Sequence, residues 1–381
     1  MVGKPHHLRW PAVLAWRLRR QHLAARAPRD AALRVVREVA GLHAQLTSSA
    51  ELTLWARVEG LEPGAVERAL WETRTLVKTW AMRGTLHLLA ADELGLWVAA
   101  QSALRPRYEV PSWLRHHGLT REQAEAMVAA IPAALEGRIL TREALADEVG
   151  RRTGIAGLDG KLRGGFGDLL KPAAFRGDLC FAPSDGRNVR FARPADWLDG
   201  GWARVDVDEA VRTVARRYLS AYGPGTRETF ARWFGIASAA QAGRWLASLG
   251  DEAVEVELEG GPMIMLAADV PEVEAAAPEG VVRLLPAFDH YVVAAPRDVE
   301  AVLAAAARAR VYRPQGWLSP VLLVDGVMAG VWSHEREAVE ISPFERMPAW
   351  VRRGVAAEAA RLGAFVGLAP DVRWRGPTAA G

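Results

Sequence analysis

The chain has 381 residues, half of them apolar and 24% charged, which suits a sizeable core divided over about two to four compact units and excludes wholesale disorder. No apolar run approaches the roughly 20 residues that a bilayer span needs, and the lone Cys180 excludes an internal disulfide and any multi-cysteine zinc or iron–sulfur site. The net charge of +3 hides an asymmetry: residues 1–250 carry 36 Lys and Arg against 26 Asp and Glu, whereas residues 251–381 carry 12 against 19, so an anionic partner is expected on the N-terminal part.

Of the basic residues only Lys4, Lys78, Lys161 and Lys171 are lysines. Arginine suits bidentate phosphate contact, and a GC-rich coding bias gives the same skew. The start, Met1 to His7, leads into an Arg-rich helical pattern without a long apolar h-region, so a cytoplasmic location is expected.

Helical periodicity predicts a first helix over 8–24 and a second over 30–41, the latter stopped by Gly41. The segment Gly41-Leu42-His43-Ala44-Gln45-Leu46-Thr47-Ser48-Ser49 follows at once. In an extended chain the spacing of two puts His43 and Gln45 on one side, an acid/base group beside an amide. Ser48 or Ser49 is expected to cap a third helix, and Pro63-Gly64 to open a fourth. A hairpin is then predicted over 75–80 and 85–89, turning near Met82-Arg83-Gly84. Short helices closed by a two-stranded hairpin describe a winged helix.

The pattern recurs. Helix 121–136, a capped helix at Thr141–Gly150, a glycine-rich helix candidate from Lys161 to Ala174, and strands 177–182 and 188–192 around Ser184-Asp185-Gly186 form a second round. A third comprises helices 207–221, 226–234 and 237–249 and strands 254–258 and 263–266. From about 270 the chain becomes an acidic linker, Pro271 to Gly280, followed by strands 281–285, 291–294, 321–324, 327–332 and 339–341 and a helix over 350–362. These last strands suggest a small β-barrel or sandwich. The fold class is therefore α+β, with three tandem winged-helix units over 1–105, 106–203 and 204–268 and a β domain over 269–381.

The helix before His43-Ala44-Gln45, the stretch Trp80-Ala81-Met82-Arg83-Gly84-Thr85-Leu86-His87, and the downstream Leu284-Leu285-Pro286-Ala287-Phe288-Asp289 and Val324 to Trp332 together resemble the AlkZ/YcaQ winged-helix DNA glycosylases over nearly the whole chain. The resemblance implies a C-shaped channel of three winged helices and a β-barrel around double-stranded DNA. It also implies hydrolysis of the N-glycosidic bond of N7-alkylated purines, in some members with unhooking of interstrand crosslinks or removal of bulky natural-product adducts. The family's catalytic pattern is two polar residues flanking an apolar one, usually with Gln first. His43-Ala44-Gln45 departs from it at the first position and is similar to a branch associated with antibiotic self-resistance.

N7 alkylation makes guanine cationic and a good leaving group, so catalysis reduces to holding a water at the anomeric carbon and stabilising an oxocarbenium-like sugar. A histidine, whose ordinary pKa is about 6.5, suits acceptance of the water's proton at position 43, and Gln45 suits its orientation. No lysine lies in the segment, which disfavours an imine-forming lyase. Candidate DNA-contacting residues are Thr47, Ser48, Lys78, Arg83, His87, Lys161 and Arg163, with Met82 at a wing tip as a candidate intercalator. Arg83 and His87 equally suit the internal construction of the wing, and Trp80 suits the core. The glycines between Gly157 and Gly167 lack the ending of a phosphate loop, so no nucleotide cofactor is expected. Asp289, His290 and His334 lack metal-site spacing, so no metal is expected. A monomer is expected, and the competing reading is a non-catalytic winged-helix transcription regulator.

Overall fold

The computed structural model describes residues 6–335, 338–369 and 371–376; Met1 to Pro5, read above for a leader, lie outside them. The chain divides into two compact α+β units, one of residues 1–65 with 215–381 and one of residues 66–214. The division at 65 falls inside the first of the expected domains. No helix among the described residues is long and apolar enough to cross a membrane.

In the first unit the helix Trp10–Arg20 opens with a proline in its first turn and buries Trp10, Val13, Leu14, Trp16 and Leu18. It is shorter than the expected 8–24 because Leu8 belongs to a strand, His6–Leu8, which pairs in parallel with Ala253–Leu258. The latter forms an antiparallel hairpin with Gly261–Leu266. Ahead of that hairpin, Thr226 caps the helix Arg227–Phe234 through a reciprocal bond with Thr229, Gly235 ends it in the left-handed region, and Ser238 caps Ala239–Ala247.

The acidic C-terminal part forms a five-stranded sheet in the order Val282–Leu285, Val321–Val324, Val327–Glu335, Ala338–Pro343, Asp371–Trp374, antiparallel except for the last pair. Its first and last strands are both edges, so among the described residues the sheet is open, where the sequence suggested a barrel or sandwich. The helix Ala349–Val366 packs on the first strand, with Gly354 so close that a Cβ would lie 2.7 Å from Val282. Two expectations are overturned here. Residues His290–Ala294 form a helix, because the Asp289 side chain accepts from the Tyr291 N–H at 2.8 Å and caps it. The expected linker contains the helix Val270–Glu274.

In the second unit the hairpin Leu76–Trp80 with Leu86–Ala90 turns through Met82–Gly84, as the sequence predicts. Thr120 and Gln123 cap Arg121–Leu135 reciprocally, and Thr141 caps Arg142–Thr153. That helix runs through Gly150 and stops at Gly154; Gly150 instead lets the next helix approach, since a Cβ there would lie 3.2 Å from Asp159. The glycine-rich candidate breaks into Leu158–Arg163, a turn at Gly165–Gly167 and Lys171–Phe175. Gly167 has φ +77°, and a Cβ there would meet the Trp80 ring at 2.6 Å. A three-stranded sheet of Leu140–Thr141, Asn188–Ala192 and Cys180–Asp185 closes the unit. Trp80 packs in its core with Phe181 and Phe191.

Candidate active site

The segment around His43 is set by how the helix before it ends. The helix Ala32–Glu38 stops with Ala40 and Gly41 both in the left-handed region, at φ +61° and +89°, and Gly41 N donates to Val36 O at 2.8 Å. The Tyr222 hydroxyl donates to Val39 O at 2.6 Å and pins this exit. The chain is then extended over Leu42–His43, with Leu42 and Ala44 fully buried. His43 is 6% exposed and Gln45 lies in solvent.

The helix Thr47–Trp55 starts directly after, with no side-chain cap. The expected capping by Ser48 or Ser49 does not occur: both sit inside the first turn, Ser48 exposed and Ser49 donating its hydroxyl to Ala287 O. Thr47 is half-buried.

That last bond brings the Leu284–Asp289 stretch to the site. Phe288 stacks on the His43 ring, centroids 4.9 Å apart and planes within 10°. On its other contact Trp317 meets it edge-on at 4.9 Å and 75°, and Trp317 is 46% exposed. Phe288 has φ +60°, a conformation that costs a bulky residue about 1–3 kcal/mol. Its neighbour Asp289 is fully buried and forms a two-pronged pair with the equally buried Arg57, at 2.7 and 2.8 Å. Arg57 also donates to Thr53 O and to Gln21 Oε1, and Gln21 Nε2 donates to Ala221 O. Trp332 Nε1 donates to Leu285 O at 2.8 Å, joining the two downstream motifs.

The other candidates are placed as follows. Lys78 is half-buried, its Nζ 5.4 Å from the Phe181 ring centre, and burial pushes its pKa down. Met82 is fully enclosed, which in this conformation leaves no side chain to insert between bases. Arg83 takes φ +60° and its Nη2 lies 3.3 Å from His87 Nε2. His87 Nδ1 lies 3.0 Å from Thr85 O; a carbonyl only accepts, so Nδ1 carries the proton and Nε2 accepts from Arg83. Lys161 donates to His117 O and Gly118 O and holds the end of the helix Pro111–His117. Arg163 pairs with Asp147 and Asp159. Among the described residues no group of three or more His, Cys, Asp or Glu is placed to hold a metal ion.

Sequence reasoning missed Phe288, Trp317 and Arg57 as parts of the site. Phe288 lies inside a stretch that carried the resemblance, yet nothing in its residue type announces a left-handed backbone.

The family model for DNA glycosylase AlkZ-like proteins matches residues 36–365. The chain belongs to the AlkZ-like DNA glycosylase family. An interstrand DNA cross-link repair glycosylase from Streptomyces sahachiroi is 37% identical to this AlkZ-like chain over 358 residues, covering 92% of it and 96% of the relative. The solved structure of the Streptomyces sahachiroi DNA glycosylase AlkZ matches with a TM-score of 0.88 and 36% identity, over 96% of this chain and 99% of that one. The AlkZ-like protein is thus a DNA glycosylase, with His43-Ala44-Gln45 and its stacked Phe288 both inside the matched range.

Proposed function

We propose that this AlkZ-like glycosylase is a monofunctional hydrolase of bulky or cross-linking N7-alkylguanine lesions in double-stranded DNA, acting as a monomer without metal or nucleotide cofactor. Antibiotic self-resistance and a cytoplasmic, nucleoid-associated setting fit this reading. The carrying observation is the stacking of the His43 imidazole on Phe288, in a segment where Gln45, two residues on, is exposed. Cross-link repair by the 37% identical relative supports the lesion class.

His43 accepts the proton of the attacking water, and Gln45 orients that water through its amide oxygen. The cationic purine leaves without needing an acid. Thr47 and Ser48, at the helix start just beyond Gln45, are the proposed phosphate contacts. Arg83, in the hairpin turn, and His87, on the returning strand, sit together at the turn end of a hairpin wing.

The proposed domain organisation keeps winged helices at 1–105, 106–203 and 204–268. It is supported by three hairpins that each follow short helices, Leu76–Ala90, Cys180–Ala192 and Ala253–Leu266. The C-terminal sheet over 269–381 stands where the family resemblance puts the barrel. Family membership sets aside the reading as a non-catalytic regulator.

The test is to incubate the protein with duplexes bearing a bulky N7-alkylguanine monoadduct or an N7–N7 crosslink and to follow abasic sites and released base by mass spectrometry. Release of the alkylguanine and unhooking of the crosslink are expected. Release of small methylated purines alone, with bulky and cross-linked duplexes left intact, contradicts the lesion class.

A further inference from the structure

We infer that Phe288 is a positioning residue for His43, the flat face that fixes the imidazole plane while the ring takes the proton from water; this rests on the reading of His43 as the base. A histidine ring turns about a broad, roughly two-fold terminal torsion, so rotamer preference alone leaves its plane loosely set. A near-parallel aromatic ring at 4.9 Å removes that freedom. Proton transfer depends on such alignment, and small misplacements of a reacting group are costly in rate.

The backbone makes the same point. At φ +60° a glycine sits without cost and a phenylalanine does not, so the side chain has to offset the strain. Filling a core alone would not require it. The strained residue is held from both sides: Ala287 O accepts from Ser49, and Asp289 takes both prongs of Arg57. Ser49 lies in the first turn of the helix Thr47–Trp55, and Arg57 follows its end. That helix begins two residues after Gln45. Phe288 and the His43–Gln45 segment are therefore both referenced to one rigid support, which is what holding a reacting geometry needs. Trp332, through Leu285 O, adds a third tether.

The test is a double-mutant cycle of Phe288→Leu and His43→Ala, with Phe288→Tyr as the conservative variant. Single-turnover excision of an N7-alkylguanine duplex at saturating enzyme is measured alongside duplex affinity by fluorescence anisotropy. Phe288→Leu is expected to slow excision by about tenfold or more with affinity within about twofold of wild type. Phe288→Tyr, which keeps a flat ring, is expected to retain most of the rate. In the His43→Ala background Phe288→Leu is expected to change nothing further. If the leucine variant does not fold, Phe288→Met takes its place. A loss on His43→Ala with full rate on Phe288→Leu overturns the positioning role alone, as does an equal loss from Phe288→Leu with and without His43. Full rate on His43→Ala overturns the reading of the site and the inference with it.

Discussion

At the scale of single residues the site depends on a buried charge pair more than on any surface contact. Arg57 and Asp289 are both fully buried and share two short bonds, so removing one partner strands the other. Asp289→Ala is expected to destabilise the fold by about 3–5 kcal/mol in urea denaturation, while replacing both residues by apolar ones of similar volume costs much less. His43 and Gln45 stand out in the sequence as candidates because two polar side chains interrupt an apolar run at a spacing of two. Phe288 does not, because its placement rests on a positive φ and on bonds that hold its neighbours to Ser49 and Arg57, residues more than 230 positions away. Lys78 is a case the sequence leaves open: a lysine in a hairpin reads as a phosphate contact, and the structure adds that the side chain is half-buried with its Nζ 5.4 Å from the Phe181 ring centre.

At the scale of elements, one close approach shows how tightly a turn is seated on a helix. The Asp325-Gly326 turn closes the hairpin of Val321–Val324 and Val327–Glu335. It lies against the helix Trp10–Arg20, where a Cβ on Gly326 would be 2.7 Å from Leu14 Cβ. Gly326 also has φ +85° and its carbonyl accepts from the Tyr291 hydroxyl at 2.7 Å. Gly326→Ala is therefore expected to cost about 2–4 kcal/mol, from left-handed strain and overpacking together, read as a lower thermal midpoint.

The helix Arg142–Thr153 gives a pH-dependent case. Hydrogen bonds from Arg151 and then Arg152 hold the Glu148 carboxyl down at about 2 from its ordinary 4.5. A depressed acid stabilises above its unfolded pKa and loses that contribution as pH falls through the folded one. Glu148→Gln should thus lower the thermal midpoint at pH 6, with the difference from wild type shrinking between about pH 4.5 and 2.

Hairpin Leu76–Ala90 was legible because two alternating strands flank Arg83-Gly84, a left-handed turn. The strand His6–Leu8 was not, since three residues carry no period and their partner is 250 positions away. The run His290–Ala294 is too short for periodicity to separate strand from helix; the cap from Asp289 settles it.

At the scale of the whole molecule, the 36 basic side chains in 1–250 are an upper bound on what can grip DNA. Several of them are committed internally: Arg151 and Arg152 to Glu148, Arg163 to Asp147 and Asp159, Arg193 to Asp196, Arg216 to Glu252. Each phosphate contact contributes a slope of about 0.9 to the dependence of log affinity on log salt. Arg163→Gln and Lys161→Gln are accordingly expected to change that slope by well under one unit in anisotropy titrations on duplex DNA. A loss of about a full unit would place that residue on a phosphate instead.

The assignment of chemistry to His43 and Gln45 is tested most directly by single-turnover abasic-site formation on an N7-alkylguanine duplex, comparing wild type with the His43→Ala, Gln45→Ala double variant. The rate is expected to fall by a factor of about 10² to 10⁴ while duplex affinity and thermal midpoint stay close to wild type. A double variant that keeps the full rate on every duplex the wild type cleaves contradicts it.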